Sequence, residues 1–419
     1  MRTAIAAFLA IAAFFYLNAD SKSINTDQLA EKARSGDTAS QYDLALEYFF
    51  GRNRTVNPVL ALYWFRRAAD AGHVESQYNA ARCFERGWGC RRSMGMALNY
   101  YIKAKENNLP EAKLRYAELL YLGHPAEENE FGKFPALKAD KFAALELMRE
   151  TAKTSDAAKL TLIKHLFMDA PQHGQELRSR LKHYAATPSP HPEMLLLYSS
   201  CLRSGIGGEV DIQTGTAILK RAADAGNLEA LAQLAEAMEL GIGVPYDPQE
   251  ALKLTQLAAK KGNQRAMVNL GNAHLTGINI KYAPDKAVEY FQKAAKSGYP
   301  PALRKLGECY SRGIGVEPDW KTAVDHYRSA ASGGDEEACF LLGDCYEKGF
   351  GVTKNAAQAF YYYSQAADRG SIKAIRKMAI FLLDGHGVRQ DTKRGMLMLR
   401  QAAAAGDQTA QFILKQKAE

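Results

Sequence analysis

The chain has 419 residues, is 47% hydrophobic and 24% charged, and carries a formal net charge of +8. That balance belongs to a folded globular protein and excludes a chain disordered by composition. The basic residues never form a run of five or six, so the concentrated basic stripe of a nucleic-acid binder is missing from the sequence and no nucleic-acid partner is expected.

In chain order, the first nineteen residues stand apart. MRTAIAAFLAIAAFFYLNA has one early charge, Arg2, then an apolar run over 4–17 and the small Ala19. This pattern predicts a secretory signal peptide over 1–19. The run is shorter than the roughly 20 apolar residues a spanning helix needs; an uncleaved N-terminal anchor is the alternative. No cysteine precedes Cys83, so none is placed for lipid attachment, and no later stretch is apolar enough to span a membrane. The expected location is periplasmic or secreted.

From residue 20 onward the chain repeats itself. Glycines open a short turn at Gly205, Gly241, Gly277, Gly313, Gly349 and Gly385, each step 36 residues, and Gly51, Gly87 and Gly123 keep the same step. A second marker, AADAG, ends at Gly72 and Gly226, with equivalents at Gly36, Gly262, Gly298, Gly334, Gly370 and Gly406. Three regions follow: repeats over 20–123, an insertion with degenerate repeats over 124–204, and regular repeats with a capping helix over 205–419. Within the middle region, 124–138 lengthens a connection, 156–192 loses the turn glycines, and helical periodicity persists in Leu160, Ile163, Leu166 and Phe167.

Each repeat reads as two helices. Six residues before the turn glycine the side chain is small (Ala45, Ala81, Gly271, Gly307, Gly343), and three before it is bulky (Tyr48, Phe84, Met238, Tyr310, Tyr346). That spacing puts an apolar stripe on a first helix, with a small residue where a neighbour comes close. The glycine supplies the left-handed C-cap. Asp247, Asp285, Asp319, Asn355 and Asp391 suit the N-cap of a second helix. Its inner face carries a small residue (Ala61, Ala97, Ala287, Ala323, Ala359), then large ones at Trp64 and Phe65, Tyr100 and Tyr101, Tyr290 and Phe291, Tyr362 and Tyr363. A helical hairpin cannot bury that face alone, so the repeats are expected to stack as an all-α, α/α solenoid of about ten 36-residue helix-turn-helix units. The Gly-x-Gly of SRGIGVEPD (311–319) would suit a phosphate loop in isolation; its return in every repeat makes it a structural turn.

The stretch 302–334, ALRKLGECYSRGIGVEPDWKTAVDHYRSAASGG, resembles the Sel-one-like repeat, a relative of the tetratricopeptide repeat, and the resemblance runs from about residue 27 to 416. It implies a non-catalytic adaptor or scaffold that binds a protein or peptide along the concave face of the solenoid, often in the cell envelope when exported. Glycan or peptidoglycan binding is the alternative. A β-lactamase-like hydrolase is a weaker one, because Ser179 and Lys182 fit S-x-x-K while S-D-N and K-T-G are lacking.

The candidate contact residues are those that the repeat does not explain. Trp88 with Arg91 and Arg92 forms an aromatic and cationic turn suited to a hot spot; Trp88 could instead tuck over the neighbouring helix end. The same turn position holds Ile314, Phe350 and His386 in other repeats. Phe360 and Tyr361 are extra aromatics beside the repeat's own Tyr362 and Tyr363. Cys83, Cys201, Cys309 and Cys345 share a slot filled elsewhere by Ala237 and Ala273, which reads as a small packed site. A Cys83–Cys90 disulfide is the alternative across a helix end and its turn, whereas Cys339 and Cys345, about 9 Å apart on one helix, exceed disulfide reach. His165, His173, His183 and His191 lack metal-ligand spacing, and His274 and His326 occupy tyrosine slots. No cofactor or metal is implied.

Overall fold

The computed structural model describes residues 26–416, so the 1–19 stretch lies outside the described residues. The chain divides into two compact units, Met1–Asp169 and Ala170–Glu419; the division falls inside the region read as insertion and degenerate repeats. In the first unit, α1 (Thr26–Ser35) precedes the hairpins α2–α3 (Thr38–Phe50, Pro58–Asp70), α4–α5 (Val74–Arg86, Met94–Glu106) and α6–α7 (Pro110–Leu122, Lys141–Thr151), followed by α8 (Asp156–Met168). In the second, α9 (Ala170–Ala185) leads to α10–α11 (Pro192–Ser204, Ile212–Asp224), α12–α13 (Leu228–Leu240, Pro248–Lys260) and α14–α15 (Gln264–Thr276, Pro284–Ala295). Then come α16–α17 (Pro300–Arg312, Trp320–Ser332), α18–α19 (Glu336–Lys348, Ala356–Ala367), α20–α21 (Ile372–Asp384, Thr392–Ala404) and the closing α22 (Gln408–Gln416). Each unit is an α/α solenoid in which every hairpin packs on the next. No helix among the described residues is long and apolar enough to cross a membrane.

The caps work at both helices of a repeat. Asp247, Asp319, Asn355 and Asp391 each accept a hydrogen bond from a backbone N–H of the second helix's first turn. Asp285 does not: Ala283 holds the cap position, Pro284 begins α15, and Asp285 sits in the first turn, where its charge meets the helix dipole. First helices are capped too, by Asn227, Asn263 and Asp335 immediately after the marker glycine. The turn glycines end their helices in the left-handed conformation, as at Gly313 (φ 67°).

The second turn glycine sets the approach of adjacent repeats. A Cβ on Gly315 would stand 2.6 Å from the carbonyl of Pro284, and one on Gly351 2.3 Å from that of Trp320, so each turn rests on the start of the preceding repeat's second helix. Asn279 takes the same left-handed role (φ 60°) where the third repeat of the second unit lacks glycine. The irregular α9 is used in the same way, because Gly207 lies on the Gly174 carbonyl.

The core of a repeat is a ring lying on a small residue. Phe291, Tyr327 and Tyr363 cover Gly271, Gly307 and Gly343, where an added Cβ would meet ring carbons at 2.3–2.5 Å. Above this lies a stacked pair joining first and second helices: Phe84 with Tyr100, His274 with Tyr290, Tyr310 with His326, and Tyr346 with Tyr362, at centroid distances of 5.8, 5.9, 5.5 and 5.5 Å. His274 and His326 are therefore stacking partners in tyrosine slots.

The 124–138 insertion departs from the all-α expectation. Gly123 leaves its helix with ψ 167° instead of the left-handed value, and the chain forms an antiparallel hairpin, β1 (Glu127–Asn129) with β2 (Gly132–Phe134). The hairpin turns back onto the second repeat. Glu127 accepts hydrogen bonds from the Gly95 N–H (2.6 Å) and the Ser93 hydroxyl (3.3 Å), and Phe134 covers Gly95.

Candidate functional site

Among the described residues the surface that best suits a ligand is a groove of about 490 Å³ in the second unit. It runs between the consecutive first helices α16 and α18 and reaches the start of α17. A larger hollow of about 820 Å³ is lined by 170–176 and 205–207; it has no Phe, Tyr or Trp to anchor a partner.

The groove's floor is set by the repeat. Tyr327 lies within 3.2 Å of the Ser311 hydroxyl, Cys345 is buried, and Leu341 is half-buried. Its wall is a pair of exposed rings, Trp320 and Phe350, with centroids 4.7 Å apart. Trp320 is the first residue of α17, held there because its carbonyl receives Gly351 of the next turn. Phe350 projects from that same turn, with Lys348 against its ring.

The rim is a lattice of ion pairs, some within one first helix and others tying a first helix to the next. Arg304 reaches Glu308 (2.5 Å) and Asp335 (3.1 Å), Lys305 reaches Glu308 (2.8 Å), Lys377 reaches Glu347 (2.7 Å), and Lys373 pairs with Glu337. The lattice continues with Arg265 on Glu229 (2.6 Å) and Arg376 on Asp407 (3.0 Å). Paired charges fix the helices' spacing and leave the aromatic wall as the apolar feature of the groove.

The sequence-predicted residues fall in separate places. Phe350 lines the groove. Phe360 is half-buried on α19 against Phe381 (6.3 Å), and Tyr361 beside it is exposed against Tyr362 (5.2 Å). In the first unit Trp88 is half-buried, edge-on to Phe49 (5.3 Å) with Arg86 over its ring, while Arg91 and Arg92 are exposed. Trp320 was not singled out by sequence; its signal was an aromatic at a helix-opening position that holds proline in α3, α13 and α15.

Cys83, Cys201, Cys309 and Cys345 are buried, and burial pushes their thiols up to about 12, 11, 11 and 11, so these thiols are poor nucleophiles. Cys83 and Cys90 are both free, Cys90 half-buried. Ser179 and Lys182 are exposed on α9. His165 packs edge-on to Tyr121, His191 caps α10, and no cluster of three or more potential metal ligands exists among the described residues.

The geometry has relatives. A crystal structure of c5321, a protective antigen of uropathogenic Escherichia coli strains displaying an SLR fold, matches at TM-score 0.53 and 23% identity, covering 93% of this chain and 89% of that one. A Sel1 repeat protein from Oxalobacter formigenes matches at TM-score 0.51 and 27% identity, over 58% of this chain and 98% of that one. The chitin synthase regulator SKT5 of Saccharomyces cerevisiae is 32% identical over 97 residues, which span 22% of this chain and 14% of the yeast protein. The Sel1 repeat profile matches eight times, over 38–73, 74–109, 192–227, 228–263, 264–299, 300–335, 336–371 and 372–407. Those copies take up well over half of the sequence and coincide with the regular hairpins; the chain belongs to the Sel1 repeat family, whose α/α solenoids are commonly protein-interaction scaffolds.

Proposed function

We propose that this chain is a non-catalytic interaction scaffold that binds a segment of a partner protein along the first-helix face of its second unit, the concave face in solenoids of this kind. The observation that carries the reading is the Trp320–Phe350 wall, two exposed rings in contact beside a groove whose charges, Arg312 apart, are held in ion pairs. Exposed aromatics that can be desolvated by a partner are the usual anchors of protein interfaces. Affinity would come from an apolar side chain seated against these rings, and register from polar contacts with the rim. The yeast relative is named as a regulator of a synthase, which agrees with an adaptor role. The apolar N-terminal stretch supports work in the cell envelope or outside the cell, with an anchored form as the alternative.

A photo-crosslinking residue placed at Leu341, inside the groove, tests the reading in cells. A reproducible protein adduct is expected, reduced at least about tenfold when Trp320 and Phe350 are both changed to Ala, since loss of a hot-spot anchor costs 2 kcal/mol or more. Adducts unchanged in the double variant would refute the groove. Co-sedimentation with peptidoglycan, weakened by Trp88→Ala or Tyr361→Ala, would instead favour the glycan-binding alternative.

A further inference from the structure

The first unit carries a surface that the groove does not involve. Between residues 48 and 93 the sequence holds eight arginines, no lysine and three acidic residues, a net charge of +5 against +8 for the whole chain. The arginines are dispersed along the sequence, and the fold gathers them. Arg66 and Arg67 lie on α3, while Arg91 and Arg92 lie in the turn after α4. That turn rests on the start of α3, because Gly89 abuts the Pro58 carbonyl. Arg66 stands over Phe84 at 5.9 Å, and its charge acts on the Cys90 thiol in the same turn.

These four arginines are exposed, and none forms an ion pair among the described residues. Arg67 is held instead against the rings of Tyr63 and Trp64, at 5.9 and 5.6 Å. A ring face steadies a guanidinium without cancelling its charge. Asp70, the acid at the end of this stripe, accepts a hydrogen bond from the Tyr100 hydroxyl.

The same stripe exposes apolar surface. Val59 and Tyr63 are 62% and 49% exposed, and with Arg66 and Arg67 they follow the i, i+4, i+7, i+8 spacing of one helix face. Val56, just ahead of the helix, is 60% exposed. A polyanion such as a nucleic acid is complementary to the arginines alone and gives the valines nothing. A headgroup–acyl boundary satisfies both: anionic phosphates meet the guanidinium forks, and the aliphatic groups and the tyrosine ring enter the boundary with its hydroxyl toward water.

We propose that this face docks on an anionic phospholipid membrane surface. The full chain, incubated with phosphatidylglycerol–phosphatidylcholine vesicles and with phosphatidylcholine vesicles, tests it by co-sedimentation. Stronger partitioning to the anionic vesicles is expected, weakening as salt is raised. Each of Arg66, Arg67, Arg91 and Arg92 changed to Gln should lower it by roughly fivefold at low salt. The Val59→Ser, Tyr63→Ser double variant should lose the part of the binding that survives high salt. The apolar 4–17 run is common to all variants and both vesicle types, so differences between them report on this face. All four arginines and Tyr63 are exposed, and an unchanged circular dichroism spectrum confirms folding. Equal binding to neutral and anionic vesicles, or a fourfold Gln variant that binds like the parent, overturns the proposal. So does a Val59/Tyr63 variant with unaltered binding, or a DNA duplex that binds more tightly than the anionic vesicles, either of which would assign the arginines to a soluble polyanion.

Discussion

At the scale of the residue, the repeat is built from slots whose size is fixed and whose chemistry varies. The stacked slot accepts Phe, Tyr or His because each presents a flat ring at the same height. The exchange changes one property. Burial lowers the pKa of His326, outweighing the opposing effect of Asp325, so the neutral ring is favoured against Tyr310. A histidine depressed in the folded state contributes its full stability above the unfolded value of about 6.5 and loses it as pH falls from there toward the folded pKa. His326→Tyr, which restores the residue found at Tyr290 and Tyr362, is expected to flatten the acid limb. Urea midpoints between pH 7 and 5 measure this: the parent should fall more steeply than the variant, and parallel curves would show that the stack is indifferent to protonation. The glycines opposite the inner rings are another fixed slot. Gly307 is small because the Tyr327 ring occupies the space of its side chain.

At the scale of the element, the hairpins are set by local rules, and the insertion shows how the rules are interrupted. Gly123 has the right spacing for a turn glycine, yet its extended ψ sends the chain into β1 and β2. The hairpin is held by Glu127, whose carboxylate serves the start of α5, a helix that already has Ser93 as its cap. Burial raises the Glu127 pKa, but hydrogen bonds from Gly95, Asn129 and Ser93 prevail and hold it below the usual carboxylate range. Its contribution is thus present above the ordinary value and is lost as pH falls through the folded one. Glu127→Gln is expected to cost about 1 kcal/mol and to speed hydrogen exchange at the Gly95 amide. An unchanged amide would mean that Phe134 alone seats the hairpin.

At the scale of the whole molecule, each repeat meets only its neighbours, so stability within a unit is expected to be local and propagated stepwise. Leu342, fully buried on α18 among Val324, Tyr327 and Tyr363, is a suitable probe. Leu342→Ala should cost about 2–5 kcal/mol. Hydrogen exchange should show the loss greatest in α17–α20 and fading toward α9 at the start of the unit. A uniform loss across the second unit would instead mean that it unfolds as one block.

Period, helix boundaries and the small-and-large alternation were legible in the sequence because they depend on contacts within a repeat or with the next copy of it, and those contacts recur at constant spacing. The cysteine slot was legible for the same reason: a position shared with alanine has to be a small buried one. Other features needed the tertiary structure. The hairpin at 127–134 pairs only because Gly95 and Phe84 offer it a surface about forty residues upstream. Trp320 looks like any helix-opening residue until the next turn brings Phe350 against it. The arginines of the first two repeats look scattered until α3 and the turn after α4 meet. By itself the sequence determined the repeating solenoid, since that follows from local periodicity, and only the tertiary structure decided which exceptions to the repeat lie side by side, since juxtaposition across repeats is fixed by stacking and leaves no mark on the spacing of any one segment.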